Sequence, residues 1–128
     1  MPSERLLGIL LLSGRHDRAH YAFVLATGAA ALGRTVVLFA TNLGCHALLA
    51  DWSGLDDAGR DAVIRTRGVA GLDSLREAAA DLSVRMIACE AGLRAEALEG
   101  AALLRGVEVA GIATFLEAVG EGQLLSVG

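Results

Sequence analysis

The groups with the widest chemical reach in this chain are two cysteines, Cys45 and Cys89, and three histidines, His16, His20 and His46. The run from Val84 to Glu90 (Val-Arg-Met-Ile-Ala-Cys-Glu) reads as a short buried strand that ends in a thiol and a carboxylate. In parallel sheets the crevice beyond the carboxyl ends of the strands is where ligands bind, whereas a cysteine in mid-strand normally only packs. Chemistry at Cys89 requires a nucleophilic sulfur open to solvent. Arg94 follows five positions later, so a helix starting near Gly92 would aim its amino terminus and a guanidinium at that sulfur. Glu90 acts the other way, raising a neighbouring thiol pKa unless it points away or accepts a proton.

Cys45 falls in the first turn of a helix, where unpaired N–H groups and the positive end of the macrodipole favour a thiolate. Its neighbours Leu43, Leu48 and Leu49 equally suit a small core residue, so packing and chemistry both stay open there. The two cysteines lack the CxxC spacing of a thioredoxin-type dithiol, though two thiols on one rim can still form a transient disulfide. His16 and His20, four apart at a helix start, would add nitrogen donors to Cys45, His46 and Cys89, but this spacing matches no zinc-ribbon or finger pattern. No metal site is assigned.

These groups need elements to position them. Leu6 to Leu12 is almost continuously apolar and bounded by Ser13–Gly14, as in a strand covered on both faces. A helix capped by Asp17 follows and ends at Gly33; it has little polar face, which suits burial on more than one side. Arg34 to Thr41 supplies a second buried strand, and Asn42 caps a short helix through Ala50. Asp51 to Val69 is polar and turn-rich, an excursion with about one helical turn and expected mobility, headed by Trp52 as a lid or an anchor. Leu72, Leu75, Ala79 and Leu82 mark a helix with Arg76 on its other side, leading into the strand at Cys89. Leu93, Ala97, Leu98, Ala101 and Leu104 mark another. Val107 to Ile112 is a fourth strand, Phe115 to Val119 a short helix closed by Gly120, and Gln123 to Val127 a fifth strand.

Five alternations of strand and helix argue for a three-layer α/β/α domain over residues 1–128, with a mainly parallel five-stranded sheet. Every turn leaving a strand's carboxyl end then opens on one side. Ser13, Gly14, His16, Asn42 and His46 join Cys45, Cys89, Glu90 and Arg94 on that rim as candidate binding groups, together with the turn at Ala113–Thr114.

Composition removes several functions. All 11 basic residues are arginine and the formal charge is −4, which excludes lysine Schiff-base and P-loop chemistry and disfavours nucleic acid. Five aromatic residues leave few platforms for stacking bases. Apolar runs fall short of the roughly 20 residues that cross a bilayer, and with no signal pattern and only two cysteines the expectation is a cytoplasmic protein without a structural disulfide.

The chain resembles the DsrE/DsrF-like sulfur-relay family, whose small α/β members are sometimes called peroxiredoxin-like. The resemblance is carried in order by LLLSGRHDRAHYAF (10–23), VVLFATNLGCHALL (36–49), GVAGLDSLREAAADLSVRMIACEAGLR (68–94) and VEVAGIATFLEAVGEGQLLSV (107–127). It implies a sulfur carrier or sulfurtransferase-like protein whose Cys89 holds a persulfide and passes it to a partner thiol. It also implies no cofactor, sulfur donor and acceptor proteins or small thiols as partners, and assembly into homo- or hetero-oligomers, with the apolar first helix suiting a homo-oligomer. Cys45–His46 departs from the family pattern and leaves open a second thiol that resolves Cys89 or an idle side chain. Two other functions compete: a small-molecule or nucleotide-binding module using the same rim with incidental thiols, and a non-catalytic oligomeric scaffold.

Overall fold

The apolar runs form five strands, β1 (Leu7–Leu11), β2 (Val36–Ala40), β3 (Arg85–Cys89), β4 (Glu108–Ala110) and β5 (Gln123–Val127). The computed structural model describes residues 6–128. All strand pairs are parallel, in the order β4-β3-β2-β1-β5. Their register aligns Leu11 with Ala40 and Val127, and Cys89 with Ala110, so the carboxyl ends share one rim.

Side chains alternate across the pleat and divide the core in two. Leu7, Ile9, Leu11, Val36, Leu38 and Ala40 pack with α1 (His16–Ala31) and α3 (Leu72–Asp81). Val37, Phe39, Ile87 and Cys89 pack with Phe115 and Val119 of α5 (Ile112–Val119) on the other face. Gly8 admits α5 to the sheet: a Cβ there would collide with Val119 Cγ2. The three-layer α/β/α architecture is therefore as the alternation implies, with a sheet parallel throughout.

Several local expectations are corrected. Arg15, not Asp17, is the N-cap of α1, and Asp17 sits in the first turn paired with Arg15 at 3.2 Å. Asn42 caps nothing: it lies inside a 3₁₀ segment, Asn42–Leu48, at φ 52°, with Thr41 as N-cap. The excursion after Asp51 contains α2 (Arg60–Thr66), two turns rather than one. The helical period after Gly92 yields only α4 (Glu90–Ala95), because Ala97 turns left-handed at φ 57° and residues beyond pair with the 3₁₀ segment's exit. There Ala50 N–H donates to Ala102 O at 2.8 Å and Leu104 N–H to Leu48 O at 2.9 Å. Backbone pairing with a distant segment thus outweighs a local apolar period.

Arg76, expected on a polar face, is buried and donates to the carbonyls of Ala47, Leu49 and Ala50. Burial lowers its pKa, and the three acceptors compensate by hydrogen bonding. Truncation would leave those carbonyls without their donor, so Arg76→Met is expected to lose about 2–4 kcal/mol in chemical unfolding. A loss below 1 kcal/mol, within the range of a surface change, would count against this role.

Candidate functional site

Cys89 ends β3 and serves as N-cap of α4, with Gly92 N–H donating to its Sγ at 3.3 Å. The side chain lies on the α5 face among Phe39, Ile87 and Phe115, whose rings Phe39 and Phe115 stack at 4.9 Å. Its residue exposure is 6%, so the sulfur is covered rather than open to solvent as its chemistry led us to expect. The cause is β4 and α5: Ala110 lies beside it in register, and the Phe115 ring caps the same face.

Gly92 fixes the rim at this point. A Cβ there would meet Asn42 N at 2.5 Å and Thr41 Oγ1 at 2.6 Å, so the start of α4 rests directly on the turn after β2. Glu90 and Arg94 are exposed on α4. Among the described residues no hydrogen bond or ion pair links Arg94 to the Cys89 sulfur; the backbone N–H of Gly92 is the donor found there.

Cys45 behaves oppositely to a helix-start thiolate. It is fully buried on the α1 and α3 face, and its thiol donates to Ala40 O at 3.5 Å. Burial first, and then the nearby Cys89, push its pKa up to about 11. At neutral pH it is a packed thiol. In the folded protein a mild alkylating reagent at pH 7.5 should therefore modify Cys45 only at the rate of global unfolding, read as adduct mass on its peptide. Rapid native-state labelling would refute the sealed position.

The remaining rim groups divide. Over β1 and β2 they are closed by the excursion. Ser13 Oγ accepts from Arg15 N–H at 3.0 Å, Gly14 O accepts from Asp56 N–H at 2.8 Å, and a Cβ at Gly54 would lie 2.5 Å from His46 Nδ1. His46 Nδ1 is buried with no hydrogen-bond partner among the described residues. His16 is wholly buried beneath the excursion, its backbone N–H donating to Asp56 O at 2.8 Å. Its Nε2 meets Asp61 Oδ1 at 2.8 Å, and its Nδ1 meets Arg60 Nη1 at 3.1 Å, an arrangement in which Nε2 carries the proton and Nδ1 accepts. His20 stacks on it at 5.7 Å and bonds Ala70 O at 2.8 Å. Trp52 stands 6.0 Å from His16 and donates to Asp73 at 2.8 Å, so it anchors the excursion instead of hanging free as a lid. Asn42 alone of these groups is exposed at the turn, in the left-handed conformation.

Sequence reasoning missed Asp61, the buried partner that ties α2 to α1 and the start of α3. Nothing local marks it, because it is one acidic residue in a polar stretch. Among the described residues no group of three His, Cys, Asp or Glu side chains could hold a metal ion, and no helix is long and apolar enough to cross a membrane.

On the face of β3 and β4 away from the Cys89 sulfur the rim is open. A cleft of about 310 Å³ lies between α4, the 98–103 segment and β4, lined by Glu90, Leu93, Arg94, Leu98, Leu103 and Val109 among others.

No protein-family model matches the chain. Among curated proteins it is similar to "Sulfur carrier protein DsrE2" of Allochromatium vinosum, 28% identical over 94% of this chain and 96% of that protein. It is likewise similar to "Uncharacterized protein YrkE" of Bacillus subtilis, 29% identical over 91% of this chain and 92% of that protein. Among solved structures, the ychN protein from E. coli superposes with a TM-score of 0.68 at 13% identity, covering 96% of this chain and 98% of its own. MTH1491 from Methanobacterium thermoautotrophicum, a protein of unknown function, gives 0.56 at 18% identity, covering 94% and 97%.

Proposed function

We propose, from the premise that the chain belongs to the DsrE-like family, that it carries sulfur as a persulfide on Cys89 and passes it to a partner thiol. The observation that supports this most is the hydrogen bond from Gly92 N–H to the Cys89 sulfur at the rim of the sheet. A donor held at that point steadies negative charge on sulfur, in the free thiolate and in the persulfide alike. Loading needs no outside oxidant. The Cys89 thiolate attacks the outer sulfur of a persulfide donor RS–SH, the S–S bond breaks, RS⁻ leaves, and Cys89–S–SH forms.

The near-burial of Cys89 has a use in this reading. A persulfide screened by Phe115 and Ala110 is kept from casual oxidants, and transfer occurs when the rim opens toward a partner. Cys45, sealed and protonated, plays no resolving part. Incubation of the protein with inorganic polysulfide should add the mass of one sulfur atom to the Cys89 peptide, removable by a reducing thiol. Added sulfur confined to any other peptide would overturn the assignment.

The reading includes a second copy of the chain as partner, alongside sulfur-donating and sulfur-accepting molecules. Beyond the stripe that α5 buries, Ile112 and Leu116 form a second apolar stripe one turn apart, 49% and 53% exposed. Light scattering on the eluting protein should report more than one chain per particle, and a strict monomer would remove this element. The proposal includes a cytoplasmic location, which two free thiols suit because a reducing compartment keeps them unpaired.

A further inference from the structure

The cleft beside α4 combines features that the relay chemistry alone does not use. Leu93, Leu98, Leu103 and Val109 give it an apolar floor. Above that floor stand Glu90, Arg94 and Glu99. All three are exposed, and among the described residues no ion pair or side-chain hydrogen bond engages any of them. Glu90 and Arg94 lie four apart on α4, where opposite charges ordinarily pair, yet here both heads remain uncommitted.

We propose that this cleft binds a low-molecular-weight thiol, and its persulfide, through an α-amino-acid headgroup. The carboxylate sits on Arg94, the ammonium between Glu90 and Glu99, and the carbon skeleton on the leucine and valine floor. The size is at the lower end of the roughly 300–1,000 Å³ typical of small-molecule sites. The charge pattern selects the class. Two carboxylates repel phosphates, sulfates and nucleotides, a lone cation meets Arg94 as an obstacle, and a neutral apolar ligand would cover charges without answering them. A zwitterion answers both signs.

Position selects the length. Glu90 lines the cleft and directly follows Cys89, so cleft and sulfur share the rim, the Cα atoms of these two residues being about 3.8 Å apart. Val109 is in register with Ala88, however, while Cys89 is in register with Ala110. Floor and sulfur therefore lie on opposite faces of the sheet, and a ligand seated in the cleft must reach over the end of β3. That geometry suits an extended, flexible carrier such as a γ-glutamyl tripeptide thiol and disfavours sulfide or thiosulfate. Delivery is the exchange already written, with RS⁻ as the leaving group. The inference rests on the persulfide reading for the fate of the sulfur, while headgroup recognition stands on the cleft.

The test is calorimetric titration of reduced glutathione into the full chain carrying Cys89→Ser, which blocks reaction and isolates binding. We expect one saturable site, no saturable binding of 2-mercaptoethanol, and abolition by Leu103→Arg, which fills the cleft. Arg94→Ala, an exposed change that leaves the fold intact, should weaken binding by about tenfold or more, as loss of a charge-assisted pair does. Absence of saturable glutathione binding, or equal affinity in Arg94→Ala, overturns the proposal. Polysulfide loading of the wild-type chain separates the two ideas. Failure there removes the relay and leaves the headgroup site, whereas failure of glutathione binding removes the site and leaves the relay.

Discussion

Replacing Cys89 with serine is expected to reduce sulfur loading from polysulfide to background, while Cys45→Ser leaves loading at the wild-type level. The asymmetry follows from the surroundings of the two sulfurs. Cys89 sits at a strand end with a backbone N–H directed at it, and 6% of the residue reaches the surface. Cys45 is wholly enclosed, and its thiol is pushed up to about 11, mainly by burial. Only a thiolate attacks sulfane sulfur, so the enclosed group contributes nothing at neutral pH. The serine hydroxyl at position 89 can still accept from Gly92 N–H, and the stability cost should stay near 1 kcal/mol. A variant that melts like wild type and takes up no sulfur identifies Cys89 as the acceptor. Undiminished uptake in Cys89→Ser would end the relay reading.

Asp61→Ala carries the largest expected effect on stability. The carboxylate accepts from His16 Nε2 and from Leu72 N–H, both at 2.8 Å, and meets Arg65 Nε at 3.3 Å. Gly71 closes the site, since a Cβ there would stand 2.5 Å from Asp61 Oδ2. Alanine strands two buried donors, His16 and Leu72 N–H, at on the order of 1–3 kcal/mol each. We expect a loss of about 2–5 kcal/mol in denaturant unfolding, with protease cutting appearing first within 51–70. A loss under 1 kcal/mol would show that α2 is held by other contacts.

The same carboxylate makes a pH prediction. Burial by itself pushes Asp61 up, but the hydrogen bonds from His16 and Leu72 N–H, with the charge of Arg65, hold it below the ordinary carboxylate range. A folded pKa below the unfolded value adds stability that is fully present above the unfolded pKa of about 4 and disappears as pH falls through the folded value. Wild type should therefore lose stability on acidification below about pH 4 more steeply than Asp61→Asn. Parallel slopes for the two proteins would exclude this linkage.

The strands were legible because their signal is local. Val36 to Ala40 is buried at every position, and a short unbroken apolar run rich in β-branched and aromatic residues suits a strand covered on both faces. Gly33 and Gly120, at φ 89° and 54°, stop α1 and α5 where their lack of a Cβ indicated. Across residues 93–104 the same local signal points to a helix that a distant pairing prevents. Its apolar spacing is real, but Leu103 serves the bridge to Leu49 and Leu98 the cleft floor, not a helical face.

The amino-acid order by itself determined the alternation of strands and helices, and so that Cys89 closes a strand at the carboxyl rim. Only the tertiary structure decided what surrounds each reactive group. His16 and Asp61 are 45 residues apart, and their bond exists because α1 and the excursion fold onto one another. Cys45 and Cys89 read alike as thiols after strands, yet one is sealed under α1 and α3 and the other lies beneath α5 at the rim. Periodicity fixes which face of an element is apolar. Burial, hydrogen bonding and pKa depend on which distant surface covers that face, and this is set by how the layers pack.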